Sequence, residues 1–156
     1  MAKKRTHPVI EGLFSLDGRM RRSEYWLISI CLTVIKLPLG FLANLAGPEL
    51  ADIIRGLVNL LFLWPSVALM VKRGHDRNRP ALFTVGVLVV LVGLTIGAGF
   101  TQGLGSVAVG LALIGTCIYA FVDYGCLDGT QGPNRYGRSP KGIAGEADKA
   151  LADVFA

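Results

Sequence analysis

Four apolar stretches dominate the chain, and each is long enough to cross the hydrocarbon core of a bilayer, which takes about 20 helical residues. They cover residues 25–46, 51–71, 81–100 and 104–127. With 52% hydrophobic and only 17% charged residues, the 156-residue chain is too apolar for an ordinary soluble domain. Because lipid offers no hydrogen bonds to the backbone, uninterrupted spans of this length must be helical. The sequence therefore predicts an all-α membrane protein with four transmembrane helices.

The basic residues are distributed unevenly around these spans. Fourteen of the sixteen Lys and Arg residues lie before the first span, between the second and third, or after the fourth. The two short connections, 47–50 and 101–103, contain none. The positive-inside rule then predicts that both termini and the middle loop are cytoplasmic, in a multi-pass membrane protein. The net charge of +5 on this face favours anionic lipid headgroups, rather than nucleic acid, as partners.

The spans divide the chain into three predicted regions. Residues 1–24 form a basic N-terminal segment whose last part lies at the membrane interface, since Gly12 and Gly18 argue against one continuous helix. Residues 25–127 form the four-helix domain, with kinks expected at Pro38 and Pro65. Residues 128–156 form a cytoplasmic loop rich in turn-forming residues, followed by a short C-terminal helix.

The third and fourth spans are rich in glycine. Gly86, Gly93 and Gly97 recur on one helical face, and such small residues let helix backbones approach closely in lipid. The short 101–103 connection predicts an antiparallel hairpin of these two spans. We expect its glycine-rich faces to bind a membrane-protein partner or a second copy of the chain.

Three polar segments flank the spans on the predicted cytoplasmic side. They read Phe14-x3-Gly18-Arg19-x2-Arg22-x-Glu24-Tyr25-Trp26, Lys72-Arg73-x-His75-Asp76 and Gly129-Thr130-x-Gly132-x-Asn134-x-Tyr136-Gly137-x2-Pro140. Their order and spacing resemble the bacterial inner-membrane family known as domain of unknown function 805, over about residues 14–140. The resemblance implies a membrane topology but no established reaction, cofactor or partner. The chain departs from the family at Gly74, where Leu is usual.

Polar side chains from the three segments are predicted to converge on the cytoplasmic face. They are Arg19, Arg22, Arg73, His75, Asp76, Asn134 and Tyr136. One interpretation is a site for a phospholipid headgroup or a phosphate-bearing partner, because Arg binds phosphate through two parallel hydrogen bonds. The other is a structural latch, in which Asp76 and Asp123 pair with arginines and the 134–137 loop packs beneath the helix ends.

Lys36 lies inside the first span, near the middle of the membrane at about 1.5 Å of rise per residue. A charge at that depth indicates a functional site, with Asn59 of the second span as one candidate polar partner. The alternative is that Lys36 extends its ammonium to the outer interface, since no acidic residue lies at its depth.

No catalytic constellation is evident in the sequence. His75 and Asp76 are neighbours on a helix and point in different directions, which is a poor arrangement for a dyad. Two histidines cannot build a His-rich metal site, and the three cysteines lack paired spacing. We therefore expect no enzyme and no metal or cofactor, but an accessory, scaffold or lipid-binding component of a membrane complex. The alternative is a small oligomeric transporter or lipid-moving protein that uses Lys36 and the first two helices.

Overall fold

The computed structural model describes residues 13–142, and regular structure in this range is helical. The helices are α1 (Arg22–Leu45), α2 (Pro48–Asp76), α3 (Ala81–Ala98) and α4 (Leu104–Ala120), and α4 continues into a π-helical segment (Phe121–Cys126). All four helices, the last counted with its π-helical segment, are long and apolar enough to cross a membrane. The prediction of an all-α protein with four transmembrane helices is confirmed.

Local sequence sets the ends of these helices. The Glu24 carboxylate accepts the backbone N–H of Arg21, which fixes the start of α1. Gly47, at a φ of 88°, makes the turn between α1 and α2, and Pro48 opens α2 at a position where its missing N–H costs nothing. Gly103, at a φ of 60°, makes the equivalent turn into α4. Both short connections therefore join antiparallel helices.

Most of the buried residues lie at one end of the bundle, which we call the basic end. Here α1 begins, α2 ends, α3 begins and the π-helical segment packs against α1 and α2. The last turns of α2, from Ala68 to Asp76, are buried without interruption. By contrast, α4 has no buried residue and α3 has only Thr84. Most of the apolar surface is thus left for lipid or for other membrane proteins.

The N-terminal segment that precedes α1 lies against the bundle. The Trp64 indole N–H of α2 donates to the Phe14 carbonyl at 3.0 Å, and Met20 is buried. The short C-terminal helix predicted after residue 143 lies outside the described residues. Pro38 and Pro65 both lie inside helices that continue past them, and the kinks stay a prediction.

Candidate functional site

The centre of the basic end is the Asp76 carboxylate, which lies between two arginines. Arg19 Nε donates to Oδ1 at 3.0 Å and Arg19 Nη2 lies 2.9 Å from the same oxygen. Arg73 Nη1 donates to Oδ2. None of the three side chains is more than 4% exposed. A buried carboxylate thus joins the N-terminal segment to the end of α2.

Arg19 also binds the loop that follows the fourth span. Its Nη1 donates to the carbonyls of Gly132 at 2.7 Å and Gly137 at 3.3 Å, and its Nη2 donates to the carbonyl of Thr130 at 2.7 Å. All three guanidinium nitrogens therefore have acceptors within the chain.

The π-helical segment supplies acceptors to side chains of α1 and α2. Arg73 Nε donates to the Tyr124 carbonyl at 2.8 Å, and Arg73 Nη2 donates to the Leu127 carbonyl. The Trp26 indole donates to the Gly125 carbonyl at 2.9 Å, and Arg22 Nη1 donates to the Cys126 carbonyl at 2.7 Å. The last carbonyls of a helix have no partner within the helix itself. Here four consecutive carbonyls, 124–127, are each satisfied by a side chain from another element.

His75 and the 134–137 loop form the second part of the cluster. The His75 ring stacks on Tyr136, with ring centroids 3.7 Å apart and planes inclined by 7°. His75 Nδ1 lies 3.2 Å from the Gly18 carbonyl oxygen. The Asn134 amide donates to the His75 carbonyl at 2.9 Å, and its oxygen accepts the backbone N–H of Tyr136 at 2.9 Å. The Asn134 side chain thus both shapes its own turn and binds it to α2.

Asp123 is the centre of a second ion-pair group at the same end. Its Oδ1 lies 3.1 Å from Arg77 Nε and 2.8 Å from Arg79 Nη2, and its side chain is 4% exposed. Arg79 also donates to the Tyr119 hydroxyl at 2.7 Å. These pairs connect the α2–α3 loop to the end of the fourth span.

Six of the seven predicted residues come together in one network: Arg19, Arg73, His75, Asp76, Asn134 and Tyr136. Arg22 does not join them, since its side chain is 49% exposed and faces Cys126 and Asp128 at the edge. Lys36 lies apart from the network, with its Nζ 5.9 Å from the centroid of the Phe62 ring. Asn59, the suggested partner of Lys36, is exposed and forms no hydrogen bond with it.

The sequence did not predict the contacts of three further residues in the network. A Cβ on Gly129 would overlap the Asp76 carboxylate, so only glycine fits there. A Cβ on Gly74 would overlap the Thr84 hydroxyl, so glycine fits at this close contact between α2 and α3. Tyr124, which is fully buried, donates its hydroxyl to Thr84 at 3.2 Å. The Gly129-Thr130-x-Gly132 motif was a signal for the first of these, whereas close contacts between distant segments leave no local pattern.

Within residues 13–142, no group of three or more His, Cys, Asp or Glu side chains could hold a metal ion. The arginines of the network are instead turned inward, toward carboxylates and backbone carbonyls of the same chain. Chemically, the arrangement is suited to holding segments together.

These features define a class: a small integral membrane protein with four helical spans and a buried arginine–aspartate network at one end. Residues 13–138 match the family described as protein of unknown function DUF805, and the chain belongs to that family.

Three relatives from Escherichia coli strain K12 support this assignment. The uncharacterized protein YiiR is 33% identical over 88% of this chain and 94% of its own length. The inner membrane protein YhaI is 24% identical over 85% of this chain and 92% of its own length. The inner membrane protein YhaH is 25% identical over 85% and 93%, respectively. With the four apolar helices, these relatives place the chain among multi-pass proteins of the bacterial inner membrane. No solved structure matches the chain.

Proposed function

We propose that the chain is a non-catalytic accessory component of a membrane protein complex, which binds a helix of its partner through the glycine-rich face of α3. The observation that supports this most directly is that the α3–α4 hairpin buries almost none of its residues within the bundle. Only Thr84 is buried in α3, and no residue is buried in α4. A hairpin with so little contact to its own bundle has surface available for another protein.

The glycine-rich face of α3 consists of Gly86, Gly93 and Gly97. A Cβ at any of the three would meet no atom within 4 Å, so packing within the described chain does not require glycine there. In lipid, glycines at this spacing let a second helix approach the backbone closely. The face therefore suits the apolar helix of a partner.

The network around Asp76 supports a structural latch rather than a headgroup site at the basic end. A phosphate site needs guanidinium donors that are free to bind it. The nitrogens of Arg19 instead all contact acceptors of the chain itself. We propose that this network fixes the N-terminal segment, α2 and the 128–140 loop relative to one another.

The same contacts support a non-catalytic role. His75 is 6% exposed, its ring stacks on Tyr136, and its Nδ1 lies 3.2 Å from the Gly18 carbonyl oxygen. Asp76 faces the two arginines and not the His75 ring. A proton-transferring pair would need the carboxylate to orient the imidazole.

A second candidate function, a small oligomeric transporter or lipid-moving protein, is favoured by the position of Lys36 beside the middle of α2.

Purification in mild detergent after crosslinking in cells distinguishes the accessory role from the transporter role. The accessory role predicts one other membrane protein at fixed stoichiometry, lost in Gly93→Leu because the added side chain keeps the helices apart.

Ala98→Leu is the matched control, since Ala98 lies on another face of α3 and is exposed. It should retain the partner, and neither variant should lower the melting temperature of the purified chain. A stable homo-oligomer without another protein, or a partner that survives Gly93→Leu, would contradict the proposal.

A further inference from the structure

We propose that the groove between α1 and α2 binds the phosphate headgroup of an anionic phospholipid, with the Lys36 ammonium as its cationic contact and Arg55, held by Asp52 and Asn44, adding positive charge beside it. None of Gly86, Gly93 and Gly97, which form the glycine-rich face of α3, lines the groove. The inference therefore goes beyond the accessory role and stands or falls independently of it.

The first observation is where the Lys36 ammonium lies. Its Nζ is 5.9 Å from the centroid of Phe62, which is the central residue of α2. At about 1.5 Å per residue, Phe62 is roughly 20 Å from the start of that helix. The ammonium is thus beside the middle of the membrane-spanning segment rather than at its end.

The second observation is that this ammonium lacks an anionic partner in the described part of the chain. Within residues 13–142, Lys36 makes the contact with Phe62 but no hydrogen bond or ion pair. A cation–π contact of this kind contributes only about 0.5–2 kcal/mol. Charges inside a membrane are costly and are typically paired or functional. An anion bound beside Lys36 would supply the missing charge.

The third observation is a cavity at this position. Lys36 shares it with Thr33, Leu37 and Gly40 of α1 and with Arg55 of α2, and its volume is about 470 Å³. This volume accommodates a phosphate with its glycerol. Because Gly40 has no side chain, the wall of α1 is open beside the two cations.

The charges that line the cavity sum to a positive value. Arg55 Nη1 donates to Asp52 Oδ1 at 2.7 Å, and Arg55 Nη2 donates to the Asn44 amide oxygen. The Asp52 carboxylate balances Arg55 and holds it in place, and the charge of Lys36 remains unbalanced. A phosphodiester carries one negative charge and would therefore neutralise the charge of Lys36.

A second cavity, of about 240 Å³, continues from Thr33 and Lys36 toward the basic end. Hydroxyl groups line it: those of Tyr25, Ser29 and Thr33, at intervals of four residues on α1, and that of Ser66 on α2. This spacing places the α1 hydroxyls in one row. Polar side chains therefore continue along the groove between Lys36 and the basic end.

The surroundings of the groove identify a lipid as the source of the phosphate. Leu37 lines the cavity and is 66% exposed, and Phe41 and Leu57 are exposed to a similar degree. Acyl chains can lie against these apolar faces while the phosphate enters the groove. A free phosphate ion would have to leave water for the same position and would gain no apolar contact.

The test is lipid binding to the full purified chain in detergent. The probes are dioleoylphosphatidylglycerol, dioleoylphosphatidylcholine and inorganic phosphate, and binding is measured by native mass spectrometry. We expect the anionic lipid to bind about tenfold more tightly than the zwitterionic one. Lys36→Gln should remove this preference, whereas Lys36→Arg should retain it.

Arg138→Gln is the control, because it removes one exposed positive charge at the basic end. It should leave the preference unchanged. Equal binding of the two lipids, or an equal loss in Lys36→Gln and Arg138→Gln, would overturn the proposal. Binding of inorganic phosphate that depends on Lys36, without a preference among lipids, would overturn the lipid as the ligand.

A melting curve of each variant without added lipid shows that it is folded. Arg55→Gln provides a second removal of charge from the same groove, and it too should reduce the preference for the anionic lipid. These measurements use the purified chain and do not depend on whether it binds a partner protein. Failure of the lipid proposal and failure of the accessory role are therefore distinguishable.

Discussion

Asp76 is the residue on which most of the basic end depends. Its carboxylate is the acidic group that faces both Arg19 and Arg73, and all three side chains are buried. Replacing it by Asn removes the negative charge and leaves two guanidinium groups close together. Breaking a buried ion pair in this way costs about 3–5 kcal/mol. We expect Asp76→Asn to lower the thermal stability of the detergent-solubilised protein strongly, as followed by circular dichroism.

The matched control for this variant is Asp128→Asn, which removes a carboxylate of the same kind from the surface. Asp128 lies 3.1 Å from Lys141, and the two side chains are 52% and 44% exposed. The hydrogen bond from Lys141 and its charge lower the pKa of Asp128. A lowered pKa stabilises the fold above the pKa of the unfolded carboxyl, and this contribution is lost as the pH falls through the folded-state pKa. Because solvent screens exposed pairs, the control should change stability little at pH 7. Equal losses in the two variants would contradict a structural role for Asp76.

At the residue scale, the sequence indicated charge convergence but not its geometry. Arg19, Arg73 and Asp76 stand in polar segments beside apolar spans, and this pattern predicts that they meet. Whether they bind one another or an external phosphate depends on which donors remain free. Gly129 shows what the sequence lacks, since its need for glycine comes from a carboxylate 53 positions earlier in the chain.

At the scale of the elements, the π-helical segment is the part that the sequence did not predict. The apolar pattern predicts one helix over 104–127, and the structure has α4 as far as Ala120, followed by π-helical turns. Such segments are often found at functional positions in helices. Here the carbonyls of 124–127 accept hydrogen bonds from Trp26, Arg22 and Arg73. These partners come from α1 and α2, and no local periodicity reports on them.

The contact between this segment and α1 gives a prediction about Gly125. A Cβ at Gly125 would lie 2.7 Å from a ring atom of Trp26, closer than van der Waals contact allows. Gly125→Ala must displace the indole and weaken its hydrogen bond to the Gly125 carbonyl. Overpacking of this kind costs about 1–3 kcal/mol, which unfolding in detergent measures. Gly115→Ala in α4 is the control: nothing lies within 4 Å of its Cβ position, and no loss is expected. Tolerance of alanine at Gly125 would mean that this contact is not close in the folded protein.

For the molecule as a whole, the sequence predicts the architecture well because lipid restricts the choices. Each apolar stretch had to become a helix, and each short connection had to join antiparallel helices. The observed helices α1 to α4, the last counted with its π-helical segment, agree with the predicted spans to within a few residues, except that α2 continues to Asp76. The direction in which the Lys36 side chain extends could not be predicted from the apolar pattern. Its side chain is long enough to reach either the interface or the groove beside Phe62, and only packing with α2 decides between them.

Orientation in the membrane is a property of the whole molecule that follows from the distribution of its charges. The turn at Gly47 and the connection after Ala98 lie at the end opposite the Asp76 network. Because the loop arginines and lysines within residues 13–142 lie at the basic end, the positive-inside rule predicts that this end is cytoplasmic. Gln102→Cys and Arg138→Cys are suitable probes, since both positions are exposed. Each is introduced after the three native cysteines have been replaced by alanine.

A membrane-impermeant maleimide applied to intact cells should label Gln102→Cys, and it should label Arg138→Cys only after the inner membrane is opened. The reverse pattern would place the basic end in the periplasm. The orientation also decides from which leaflet a lipid can enter the α1–α2 groove. Arg55 lies near the start of α2, so in the predicted orientation the groove opens toward the periplasmic leaflet. Labelling therefore determines from which leaflet a phospholipid would reach Lys36.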